Sequence, residues 1–163
     1  VTEFFSYGCP WCYKLEKSLD AWRKNLPNSV GFSRTPVIFE PGWDVYAKAY
    51  YTAVTLGINN KLTPALFKAI QEEQQHLNKA PAMIKFFIKN GVKEQVANSA
   101  FNNSSVIDAK VKNGMQKMQY LGIMSVPAIV IQNRYRVDLQ TAGGDEKRLF
   151  EICSFLIKKA LLK

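Results

Sequence analysis

At 163 residues, 47% of them hydrophobic, the chain can bury one substantial core or a small core with a helical subdomain grafted onto it; this excludes a disordered polymer and makes a disulfide scaffold unnecessary. Its longest apolar runs, such as residues 128–131 and 155–157, fall far short of the roughly 20 residues a membrane-spanning helix needs, so a soluble protein is expected. The formal net charge of +9 is spread along the chain, so it reads as a solvated basic surface, not as a nucleic-acid or acidic-membrane footprint.

Residues 1–7 are rich in β-formers and bounded by Gly8, which predicts a buried strand running straight into a helix. They do not resemble a secretion signal, because they carry Glu3 and lack a basic start and a long apolar centre; any such signal is expected to have been removed. The helix should begin at Cys9 with Pro10 in its first position, bury Leu15, Leu19, Trp22 and Leu26, and end at Pro27-Asn28. Residues 30–39 read as a second strand, with Pro36 confining it to an edge or bulge, and Pro41-Gly42 closes the segment.

From Asp44 to about residue 121 the pattern is helical: 45–56 with Gly57 after it, a Thr63-Pro64 start leading through Leu66, Phe67 and Ile70, then 81–89, 93–101 and 105–121. Gly122 stops the last helix, and residues 127–131 and 135–137 around Asn133 read as a β-hairpin. Gly143-Gly144-Asp145 then starts a final helix in which Leu149, Ile152, Cys153, Leu156 and Ala160 recur at helical spacing. This order describes an α/β sheet layer interrupted by helices, dividing the chain into 1–39, an inserted helical domain 40–114, and 115–163.

The run Cys9-Pro10-Trp11-Cys12 carries the chemistry. Two cysteines three apart at a helix start place both sulfurs on one turn, near enough to close a small disulfide ring. Cys9 should lie where unpaired backbone N–H groups and the positive end of the helix dipole converge, which stabilises its thiolate and lowers its pKa. Cys12, one turn in, should be more buried. Cys9 is then the sulfur a partner's thiolate attacks, while Cys12 leaves and returns as the resolving thiol. A stabilised Cys9 thiolate favours the reduced protein, so the oxidised form tends to pass its disulfide on; the redox-active Cys9–Cys12 disulfide is the only cofactor expected.

Other uses of the pair fit less well. A zinc site normally wants four ligands, and only Cys153 and His76 remain, neither in a second paired motif, so no metal is expected. A permanently closed structural disulfide would constrain little of the unfolded chain across so short a ring. Cys153 reads as a small buried hydrophobe and His76, beside the polar run 71–75, as solvated; no Ser/His/Asp or Cys/His grouping supports hydrolysis.

Glu3 lies six residues before Cys9 in a strand otherwise made of Val, Thr, Phe and Ser. Buried there, its carboxyl would have a raised pKa suited to exchanging a proton with the Cys12 thiol; a strand-end carboxylate facing solvent is the alternative. Arg34, on the neighbouring predicted strand, is the candidate charge partner, or else an ordinary exposed arginine. Val126-Pro127 opens an apolar strand, where a trans proline is the simpler reading of the residues alone. A cis bond close to the cysteines would instead expose the Val126 backbone to pair with an extended substrate.

Together Glu3-Phe4-Phe5-Ser6-Tyr7, Cys9-Pro10-x-Cys12-Tyr13, Leu66-Phe67, Phe87-Ile88-x-x-Gly91-Val92-Lys93 and Val126-Pro127-Ala128, with Asn133 and Tyr135 beyond, closely resemble the bacterial DsbA family of disulfide oxidoreductases. The resemblance runs over essentially the whole chain. It implies a thioredoxin fold with an inserted all-helical domain, a cis-proline loop at Val126-Pro127 facing the cysteines, Glu3 as the buried acid below the site, and Arg34 as its basic partner. It also implies a periplasmic protein that oxidises newly secreted polypeptides and is reoxidised by a membrane quinone-linked partner of the DsbB type; an oxidising compartment suits such a motif.

Two departures stand out. Trp11 occupies the place where the best-known members carry histidine, so a cationic ring beside Cys9 is replaced by an apolar face suited to packing substrate or partner. Family members also have a further strand before the one at Val1, so the chain is expected to start inside the domain. The competing readings are a disulfide isomerase or reductase of the same fold, a glutathione-transferase relative, whose first cysteine is usually serine, and a peptide-binding or chaperone module with incidental cysteines.

Overall fold

Thr2, Glu3, Phe4 and Phe5 form strand β1 (Thr2–Phe5), and all four are buried, as suits a strand with neighbours on both sides. The computed structural model describes residues 1–162. They divide into two compact units, one of residues 1–5, 9–35 and 118 onward, the other of residues 6–8 and 36–117.

In the first unit, β1 lies between β2 (Ser33–Pro36) and β3 (Ala128–Ile131), and β4 (Tyr135–Asp138) closes the sheet in the order β2-β1-β3-β4. β1 runs antiparallel to β3, with Thr2 opposite Val130, Glu3 opposite Ile129 and Phe4 opposite Ala128. β3 and β4 form an antiparallel hairpin whose turn places Gln132 and Asn133 at φ of 54° and 51°, the left-handed pair that matches strand twist.

Helix α1 (Pro10–Lys24) contributes Leu15 and Leu19, and the last helix contributes Leu149, Cys153 and Ile157, to one buried cluster with Ile129 and Val137 of the sheet. Trp22 stacks on Phe150 at 5.2 Å between ring centroids, and its Nε1 donates to Ser154 Oγ at 2.9 Å, so its polar edge is satisfied while its face packs. Burial pushes the Cys153 thiol up to about 12, which leaves this cysteine a neutral core side chain.

The second unit holds α2 (Trp43–Thr55), α3 (Asn59–Phe67), a π-turn (Lys68–Glu72), α4 (Ala80–Lys89), α5 (Glu94–Asn102) and all but the end of α6 (Ser105–Tyr120). Its core includes Phe67, Met83 and Phe87, with Phe101 meeting Phe87 edge-to-face at 5.2 Å. The final helix, α7 (Glu146–Leu161), returns to the first unit and is capped by Asp145, whose side chain accepts from the Arg148 N–H. No helix among the described residues is long and apolar enough to cross a membrane.

Two helix ends differ from the sequence reading. α1 stops at Lys24 rather than at Pro27-Asn28, because Asn25 closes it: its backbone N–H bonds the Trp22 carbonyl at 3.0 Å and its side-chain amide the Ala21 carbonyl at 2.9 Å. Trp22, inside the helix, and Leu26, beyond its end, are half-buried. α3 starts at Asn59, not at Thr63-Pro64, since the Ile58 carbonyl already accepts from the Lys61 and Leu62 N–H groups at 3.1 and 2.9 Å. Pro64 therefore sits inside the helix, where its missing N–H costs one rung.

Candidate active site

The chain leaves β1 at Phe5, passes through Ser6, Tyr7 and Gly8, and enters α1 at Pro10 with Cys9 as the N-cap. Cys9 keeps extended backbone, φ −90° and ψ 113°, and its Sγ accepts the Cys12 backbone N–H at 3.2 Å. A sulfur thus takes the place usually filled by a serine or aspartate oxygen at a helix start, receiving one of the N–H groups the helix cannot satisfy itself. No acidic residue lies in the first turn to oppose negative charge there. Cys9 is 5% exposed and Cys12 is fully buried one turn further on.

The Val126–Pro127 peptide bond is cis, and the Val126 carbonyl lies 3.7 Å from Cys9 Sγ, so the loop entering β3 meets the start of α1 at the cysteine. Pro127 is buried and Val126 half-buried. Trp11 projects outward, 58% exposed, with Lys14 Nζ 4.4 Å from its ring centroid. That is a cation–π pair, which supplies a positive charge to the aromatic face beside the cysteine.

Beneath this lies a buried charge group. Glu3 is 0% exposed, and Arg34 Nε sits 2.8 Å from its Oε2, an ion pair by distance although outside hydrogen-bond angle. Arg34 Nη2 also donates to Glu16 Oε1 at 2.7 Å, and its guanidinium lies 5.4 Å from the Phe5 ring centroid. One arginine is therefore shared by two carboxylates. Burial raises the Glu3 pKa from 4.5 to about 8 against the pull of Arg34; negative charge on Glu16 and on Cys9 pushes the same way as burial. Negative charge on Cys9 thus favours the protonated form of Glu3.

The structure brings Cys9, Cys12 and Val126 together and pairs Glu3 with Arg34. Among the described residues no group of three or more His, Cys, Asp or Glu side chains is placed to hold a metal ion. Sequence reasoning missed Glu16, whose only trace is its place one turn after Cys12 on α1. It also missed Gln71, which donates to the Tyr7 carbonyl at 2.7 Å, two residues before Cys9. A polar run such as 71–75 gives no sign of such a contact.

The family described as the DSBA-like thioredoxin domain matches residues 44–151. The thiol:disulfide interchange protein DsbA of Azotobacter vinelandii is 32% identical over 163 residues, spanning 98% of this chain and 73% of that protein. Among solved structures, a Pseudomonas aeruginosa DsbA variant superposes with a TM-score of 0.94 at 29% identity, over 99% of this chain and 86% of that one. A Proteus mirabilis DsbA variant holding the non-covalently bound peptide PWATCDS superposes at 0.78 with 28% identity, over 99% of this chain and 88% of that one.

Proposed function

The chain belongs to the DsbA-like thioredoxin family and is a thiol:disulfide oxidoreductase, and on that premise we propose that it donates a Cys9–Cys12 disulfide to dithiols of secreted polypeptides. The observation that carries this reading is the seat of Cys9 Sγ at the N-cap of α1, on the Cys12 N–H and 3.7 Å from the Val126 carbonyl.

A substrate thiolate attacks Cys9 Sγ, the Cys9–Cys12 bond breaks, and Cys12 departs with the electron pair and takes up a proton. Glu3 supplies that proton directly or through water, since a carboxyl titrating at about 8 still holds it near neutral pH. The second substrate thiolate then attacks the substrate's own sulfur in the mixed disulfide. Cys9 leaves as a thiolate, the substrate gains its disulfide, and the protein has accepted two electrons as a dithiol. The helix terminus favours this last departure because it stabilises the anion that leaves.

Val126 offers its main chain to an extended substrate segment beside the sulfur, in the manner of strand addition, and Pro127 shapes that loop. That a Proteus mirabilis relative is known in complex with a non-covalently bound peptide supports a peptide-binding role. Trp11 adds an apolar face with a lysine over it. Arg34 holds Glu3 in place while leaving it protonated near neutral pH. The clients are reduced, newly secreted polypeptides in the bacterial periplasm, and a membrane quinone-linked oxidase of the DsbB type restores the disulfide. Residues 1–39 and 115–163 form the thioredoxin-like part of this machine and 40–114 its inserted helical domain.

The redox equilibrium with glutathione tests the proposed direction. The expected potential is more oxidising than about −200 mV; a value near about −270 mV, that of thioredoxin, would assign the protein to reduction instead.

A further inference from the structure

Tyr7 is held by three side chains of the helical unit. Its hydroxyl lies 3.0 Å from Thr63 Oγ1, its ring meets Phe67 edge-on at 5.1 Å, and its carbonyl accepts from Gln71 Nε2 at 2.7 Å. Thr63, Phe67 and Gln71 are spaced four apart along one continuous helical segment. In an unbroken α-helix this column would drift by about 40° with each step of four residues, turning the third member about 80° away from the first. The drift is offset here by the π-turn Lys68–Glu72, whose wider winding is marked by the Glu73 N–H reaching back to the Lys68 carbonyl at 3.0 Å. The helix gives up regular geometry at the place where doing so keeps Gln71 on Tyr7.

The main chain is confined on its other side too. A Cβ at Gly8 would overlap Trp43 Nε1, so the indole packs directly against the backbone, and the Gly8 N–H donates to Ser6 Oγ at 3.1 Å. Cys9 follows immediately, and its sulfur meets the Cys12 N–H only while its backbone keeps the extended N-cap conformation.

We infer that the column Thr63, Phe67 and Gln71 is a clamp on Tyr7 that fixes the main-chain entry to Cys9, and that Gln71 is thereby a positioning residue for disulfide exchange. The inference rests on the reading of Cys9 as the exchanging sulfur. Without the amide donor the Tyr7 carbonyl loses one of its holds, the peptide planes leading into Cys9 are less firmly set, and the cap that stabilises the thiolate loosens.

The test uses the full chain with two substitutions: Gln71→Met, which keeps length and removes the donor, and Gln71→Glu, which donates only when protonated. Wild type comes first, because failure to exchange with glutathione would sink the functional reading and, with it, the role of Gln71 in disulfide exchange. Against an active wild type, Gln71→Met should lower the oxidising equilibrium constant with glutathione by about threefold or more, the scale of one net hydrogen bond. Gln71→Glu should react more slowly than wild type with dipyridyl disulfide at about pH 7 and regain the wild-type rate at about pH 4, where its carboxyl can donate. Wild-type equilibrium and rates in both variants, with only the melting temperature lowered, would overturn the inference. Should Gln71→Met fail to fold, a rate ratio of Gln71→Glu to wild type that stays constant across this pH range would overturn it equally.

Discussion

A Cys12→Ser variant is expected to stall as a covalent mixed disulfide with its substrate, and Cys9→Ser to lose exchange altogether. The difference follows from where the two sulfurs sit. Cys9 Sγ receives the Cys12 N–H and lies beside the Val126 carbonyl, whereas Cys12 is fully buried a turn deeper. Only the first can be reached by a partner, and only the second can resolve what the first has formed. Turnover of a dithiol peptide should fall by about a thousandfold or more in either variant, the scale on which loss of a covalent nucleophile is felt. Intact-mass analysis after incubation with a mixed-disulfide donor distinguishes them: Cys12→Ser should gain one substrate mass at Cys9, and Cys9→Ser none. An adduct on Cys9→Ser with none on Cys12→Ser would mean that Cys12 is the accessible sulfur and that the roles are reversed.

The second large effect is a change in the pH dependence of stability on replacing Glu3. In the unfolded chain its carboxyl ionises at about 4.5, whereas the folded protein holds the proton up to about 8. Between those values the folded state binds more protons, so stability is greatest at and below the lower value and declines as pH rises through the upper one. Glu3→Gln cannot ionise, so its curve should lack this decline over that window. Relative to their difference at about pH 4, the two proteins should diverge by on the order of a few kcal/mol by about pH 9, in the variant's favour. Loss of a partner for Arg34 shifts the whole curve without creating a slope, and Glu16 still holds that arginine at 2.7 Å. Urea unfolding at several pH values reads the slope directly; parallel curves would show that Glu3 is not the group responsible. In the same variant, release of Cys12 from the mixed disulfide should slow by about tenfold or more at neutral pH, because the proton donor is gone.

Much of the molecule could be read along the chain. The β-former run before Gly8, Pro10 at a helix start, the hairpin around Asn133 and the apolar spacing of Leu149, Cys153 and Ile157 are local signals, and each lies in the element it predicts. Strong local chemistry marked the cysteine pair in the same way. What escaped was set by distant partners. Asn25 ends α1 through its own side chain before Pro27 can, and the Ile58 carbonyl starts α3 ahead of the more conspicuous Thr63-Pro64. Glu16 meets Arg34 from eighteen positions away, and Gln71 reaches Tyr7 across sixty-four, which no periodicity encodes. The π-turn that aligns Gln71 has no composition of its own. Tertiary contact selects it over the α-helix that Leu66, Phe67 and Ile70 equally suggest.

The whole account depends on Cys9 being acidic because of the helix terminus beneath it. Titration of thiolate absorbance at 240 nm in the reduced protein, repeated in Cys12→Ser, measures this with little interference, since burial keeps Cys153 un-ionised until about 12. A transition well below the about 8.5 of free cysteine, present in both proteins, is the predicted result. A Cys9 transition at about 8.5 or above would contradict it, for the protein would then gain nothing by giving its disulfide away.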